Sequence, residues 1–210
     1  MRVLAGLLVA VLPAFCQAVT PFTVTEISRT IGMSGQSVKE SRFLFAMNRD
    51  GSIVSVDLDP SSGGARQIID AVKHRTIVVN PNARSAAITP YGWQPQFGSP
   101  DACEQRFRHI VSRAPGCPST PCWVGAVVSV VRSAGAIQGI LLQRISVTEA
   151  NGLSMEILVA PSLACHMMEV HTFRNGLPLK AQTTDNLQIG DPDPLLFEIP
   201  ADYRVTEAAH

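Results

Sequence analysis

Residues 42–58 read RFLFAMNRDGSIVSVDL, and this stretch decides the fold class. Phe43, Phe45 and Met47 recur at every second position, and so do Val54, Val56 and Leu58. That period belongs to a strand with one face buried. Between the two runs, Asn48-Arg49-Asp50-Gly51-Ser52 carries an Asp-Gly step, which tolerates the left-handed backbone of a tight hairpin. The chain here folds back on itself as two antiparallel strands.

The same grammar extends outward. Asp59-Pro60-Ser61-Ser62-Gly63-Gly64 makes the next turn, and strands over 66–72, 76–79 and 85–89 continue the meander, with Pro81-Asn82-Ala83 closing its last hairpin. Further on, strands are expected over 124–131, 137–149, 153–159, 166–174 and 179–187, with Asn151-Gly152 and Asn175-Gly176 as hairpin turns. One helix interrupts this series. Ser99-Pro100-Asp101 starts it, because serine caps, proline suits the first turn, and Asp101 and Glu104 meet the positive end of the dipole. Cys103, Phe107, Ile110 and Val111 then share one helical face, while Gln105, Arg106, Arg108 and Arg113 face elsewhere. The expected fold is mainly β: a curved antiparallel sheet or open half-barrel with one main helix packed on it.

The N-terminus reads as an address. Met1-Arg2 gives a positive start, residues 3–12 (VLAGLLVAVL) an apolar run, and Ala18 a small residue at the expected cleavage step. Ten residues of helix reach about 15 Å, half of a roughly 30 Å hydrocarbon core, so a signal peptide over 1–18 is favoured over an anchor. Lipidation at Cys16 is the alternative, and the bulky Phe15 before it opposes that pattern. Residues 19–210 then form a single β-rich domain in the periplasm or outside the cell.

Export bears on the cysteines. Four of the five lie beyond residue 18: Cys103, Cys117, Cys122 and Cys165. An even count in an oxidising compartment implies two disulfides. One scheme closes Cys117 to Cys122 and joins Cys103 to Cys165; another joins Cys122 to Cys165 and Cys103 to Cys117. Zinc is disfavoured because paired CxxC steps are missing, and a redox pair is disfavoured because four residues, two of them prolines, separate Cys117 from Cys122.

Seventeen basic and seventeen acidic residues balance, without a basic run, which argues against a nucleic-acid partner. The only other long apolar stretch, 123–142, is broken by Arg132-Ser133 and Gln138 and reads as strands, not as a membrane span. No phosphate loop follows the Gly63-Gly64 pair, and Gly152-Leu153-Ser154-Met155-Glu156 lacks the closing glycine of a nucleophile elbow. His166 and His171 stand five apart on one expected strand, which turns them to opposite faces. Asp191 and Asp193 lack the spacing of a calcium loop and read as a rigid Asp-Pro turn. Neither an enzyme nor a cofactor is expected.

Residues 157–165 (ILVAPSLAC) and 190–203 (GDPDPLLFEIPADY) resemble segments of uncharacterised exported bacterial proteins, in which an APxLxC step precedes a terminal PDPxLFxxPxxY motif. The architecture is also similar to the open β-barrels of periplasmic lipoprotein carriers (LolA/LolB-like). A lipid or apolar small-molecule binding module is expected from the aromatic-rich face of Phe43, Phe45 and Met47, from Trp93 and Phe97 in the loop before the helix, and from a high apolar content with few charges, and these five are the candidate lining residues. The plain alternative is that these residues are core. A second functional expectation is an envelope interaction or scaffold protein that engages another protein through strand edges or the loop over 91–100.

Overall fold

The computed structural model describes residues 19–32, 34–91, 100–112 and 126–208, with helix side chains to Arg108. The chain begins with β1 (Phe22–Ile31), β2 (Ser37–Met47), β3 (Ile53–Asp57), β4 (Arg66–Asp70), β5 (Arg75–Asn80) and β6 (Ser85–Pro90). Helix α1 (Pro100–Ser112) follows. Then come β7 (Val127–Val131), β8 (Ala136–Ile137), β9 (Ile140–Leu141), β10 (Gln143–Thr148), β11 (Leu153–Ala160), β12 (His166–Arg174), β13 (Leu177–Ile189) and β14 (Arg204–Glu207).

Twelve of these strands form one curved, unclosed sheet in the order β14-β6-β5-β4-β3-β2-β1-β13-β12-β11-β10-β7. The expected mainly-β fold with one helix on an open sheet is what the chain adopts. Two antiparallel meanders, β1 to β6 and β10 to β13, are joined side by side through β1 and β13, which pair from Phe22–Ile189 to Thr30–Lys180. Only β14 runs parallel to its neighbour, β6.

The decisive hairpin forms as its sequence requires. Met47 pairs with Ile53, Gly51 takes φ +85°, and the Ser52 amide donates to both Asn48 Oδ1 (3.0 Å) and Asp50 Oδ1 (2.7 Å). One expected strand is corrected. Residues 137–149 do not run straight, because Gln138 (φ +50°) and Gly139 (φ +79°) turn the chain into the short β8–β9 hairpin before β10 begins.

Burial changes face across the sheet, and β2 is where it changes. Adjacent residues in a strand point to opposite faces, yet Ala46 and Met47 are both buried. Met47 joins Phe22, Val24, Leu142, Leu163, Met168 and Leu187 on one face. Ala46 joins Val54, Ile68, Ile77, Val79 and Ala86 on the other, where Leu196, Phe197, Ile199 and Tyr203 of the C-terminal segment cover them. A further cluster sits under the helix: Cys103 and Phe107 of α1 pack on Ile145, Val147, Ile157 and Val159. Burying a phenylalanine such as Phe107 contributes about 2 kcal/mol, and here the helix is also cross-linked, since Cys103 is bonded to Cys165. That pairing matches one of the two expected schemes. Cys117 and Cys122 lie outside the described residues.

The Asp-Pro segment is structural. Asp191 pairs with Arg49 of the first hairpin (2.7 and 3.0 Å), and Asp193 accepts from the Leu195 amide to cap the 3-10 turn Pro194–Phe197.

Candidate functional site: a buried histidine-glutamate pair among aromatic rings

Strand β1 directs Phe22, Val24 and Glu26 to one face, the period-two set that β2 matches. Its register lays Phe22 beside Met47, Val24 beside Phe45 and Glu26 beside Phe43. Through β13 the same face continues to β12, where Ser28 and Val170 both stand opposite Gln182. Val170 packs in the cluster under α1, so this is the helix-bearing face.

His166 opens β12 and turns onto this face. The 3-10 turn Pro161–Leu163 delivers the chain to Ala164 (φ +54°) and Cys165 (φ +61°), two consecutive left-handed residues that are not glycine. Such conformations cost energy and persist only where their surroundings impose them. Here Leu163 is fully buried and the disulfide holds Cys165 to the helix. The APxLxC step of the sequence is thus the device that aims the next residue inward.

The imidazole of His166 lies edge-on to the ring of Phe22 (centroids 5.0 Å apart, 61°) and 4.5 Å from that of Phe45. Its Nε2 stands 3.6 Å from Glu26 Oε1. That separation exceeds a hydrogen bond, and Nε2 is buried with no hydrogen-bond partner among the described residues. The two side chains are 6% and 20% exposed. Burial pushes the His166 pKa down to about 4, and the nearby Arg106 guanidinium of α1 pushes in the same direction, so the ring is neutral. Burial raises the Glu26 pKa. It also lowers that of Arg106 and raises that of Tyr91, while these two groups oppose those shifts in each other.

The candidate residues fare differently. Phe45 is half-buried against Phe22 and His166, Phe43 is half-buried beside Glu26, and Met47 lies in the core. Trp93 and Phe97 lie outside the described residues. Sequence reasoning passes over Glu26 and reads His166 only as turned away from His171. A signal is present: Glu26 is the charged member of an otherwise uncharged inward set, Phe22, Val24, Glu26 and Ser28. His171 does lie on the opposite face, 2.5 Å from Glu169 and beside Arg144, Glu156 and Leu158. Among the described residues no group of three or more His, Cys, Asp or Glu is positioned to hold a metal ion.

No protein-family model matches the sequence, and no curated protein matches it. Solved structures do. An uncharacterized conserved protein from Thermus thermophilus superposes with a TM-score of 0.52 at 12% identity, over 90% of this chain and 91% of that one. What is shared is the fold. MucB gives 0.46 at 14% identity over 89% of this chain and 59% of its own. A LolA superfamily protein from Nitrosomonas europaea gives 0.37 at 9% identity over 85% and 90%. At 12% identity the fold shared with the Thermus thermophilus protein carries no chemistry.

Proposed function

We propose that this chain is an exported binding module that takes an apolar or amphiphilic small molecule on the helix-bearing face of its open sheet. The observation that carries this reading is the half-buried pair Phe45 and Phe43 on that face, packed beside fully buried Phe22 and a buried histidine whose Nε2 has no hydrogen-bond partner among the described residues. Aromatic walls with a few convergent polar groups are the usual make-up of a small-molecule site. The signal-like residues 1–18 support a periplasmic or secreted location, and the Cys103–Cys165 bond supports an oxidising compartment.

Native mass spectrometry of protein purified without detergent, paired with thermal melting across a lipid panel, tests the reading. Co-purifying lipid masses or a raised Tm are expected. Apoprotein alone, with no shift for any lipid, overturns it.

A second reading, an envelope interaction protein, rests on the rim strand β7. Val127 and Val131 are 70% and 54% exposed there, on backbone that pairs only with β10 among the described residues. Such a rim can accept a partner strand. Cross-linking in the native envelope that returns no reproducible partner rules this out.

A further inference from the structure

The two rims of the sheet are built differently. At one end β14 is four residues long and carries Arg204 and Glu207, both exposed. Shortness and charge are common guards against strand-to-strand pairing. At the other end β7 runs Val127-Val128-Ser129-Val130-Val131 without a charge, proline or glycine, in unbroken register with β10. Val128 and Val130 pack in the cluster under α1, so Val127, Ser129 and Val131 point to the opposite face, where all three are exposed.

The order of residues in β7 selects what such a rim fits. It reads the same in both directions about Ser129. Antiparallel pairing of two copies about a two-fold axis keeps the faces of their sheets aligned, so a residue can oppose only one that points to its own face. Centred on Ser129, the strand meets this condition. Val127 then lies opposite Val131 of the second copy on the outer face, and Val128 opposite Val130 on the helix-bearing face, each pair occurring twice. Moving the centre to Val128 or Val130 puts a valine against Ser129 instead.

Charge permits the same register. The nearest charged residue, Arg132, falls opposite Ala126 and is already paired with Asp101 of its own α1 at 2.7 Å. The two Arg132 positions stand about 20 Å apart along the strands, beyond the screening length of about 8 Å at physiological salt. No like charges meet. A ladder of five residues is small beside the roughly 1,600 Å² of a standard interface, which fits a reversible dimer with Kd on the order of micromolar.

We infer that β7 is a self-pairing edge, through which two copies of this chain join their sheets antiparallel about Ser129. This rests on the reading of β7 as a rim that accepts a partner strand. Sedimentation equilibrium of the whole chain over about 1–300 μM tests it, and the mean mass is expected to rise toward that of two chains. Val127→Lys with Val131→Lys sets lysine against lysine twice and should weaken association at least about tenfold. Val127→Lys with Val131→Glu sets lysine against glutamate twice and should associate within about threefold of the unmodified chain. If the double-lysine chain does not fold, Val127→Glu with Val131→Glu is measured against the same criterion. A monomer at every concentration overturns the second copy as the occupant, as does a dimer that both charge patterns leave unchanged or both abolish. Should the chain be monomeric, native-envelope cross-links to a different protein that the double-lysine chain loses leave the rim reading standing. The absence of any cross-linked product overturns that reading as well.

Discussion

His166 is neutral because water cannot reach it, and that couples its titration to folding. The unfolded chain protonates a histidine near pH 6.5, whereas the folded chain holds its pKa down at about 4. As pH falls through this window the unfolded state takes up the proton first. Stability is therefore full above about pH 6.5 and declines by roughly 3 kcal/mol on the way to pH 4. Glu26 has the opposite sign. Its raised pKa contributes stability below the unfolded value of 4.5, and that contribution is lost as pH rises through the folded value. In Tm-against-pH curves, His166→Phe should fall less steeply than the unmodified chain between pH 6.5 and 4. Coincident slopes would refute the assignment. A second residue-scale expectation concerns Gly152, which has φ +80° and leaves room for no side chain, since an added Cβ would lie 1.9 Å from Asn175 Oδ1. Gly152→Ala should cost about 1–2 kcal/mol, read as a Tm lower by several degrees.

Among the elements, α1 depends most on a single link. The Cys103–Cys165 bond spans 62 residues of sequence, and closing a loop of that length stabilises a fold by about 4 kcal/mol. Cys103→Ala with Cys165→Ala should lower the denaturation midpoint accordingly. Hydrogen exchange should speed up more in residues 100–108 than in β11, because the lost bond tied α1 directly to Cys165, whereas β11 keeps its strand ladders to β10 and β12; equal acceleration in both would contradict this. The helix and the hairpins are legible in the sequence because their signals are local: a cap and proline at 99–100, Asp50-Gly51, Asn151-Gly152 and Asn175-Gly176. The β8–β9 hairpin is not, because its turn pairs a glutamine with Gly139, and glutamine does not advertise a left-handed backbone. The disulfide pairing depends on where β12 lies relative to α1, which is tertiary information that no cysteine spacing carries. Glu26 and His166 are 140 positions apart in the numbering and meet only because β1 joins β13.

For the whole molecule the governing fact is that the sheet hides opposite faces in its two halves. Alternation along a strand announces that one side is buried but not which neighbour covers it. The C-terminal motif supplies half of that answer: Leu196, Phe197 and Ile199 pack back on the sheet, while Leu195 stays 64% exposed. The lid they form is tied down by the Arg66 guanidinium, which donates to the Glu198 carbonyl, and by the ion pair of Arg84 with Asp202. Phe197→Ala should therefore loosen the β2–β6 half first, with a loss of about 2 kcal/mol and increased binding of a hydrophobic dye. A loss confined to the helix half would show that the lid has been misread.

That lid also sets a timetable. Ribosomes make chains from the N-terminus, and strands β2 to β6 are complete by residue 90, more than a hundred residues before their cover at 194–207 exists. Until residues 194–207 emerge, Val54, Ile68, Ile77 and Val79 lack the cover that Leu196, Phe197, Ile199 and Tyr203 provide, so the core of this half is completed long after its strands are made.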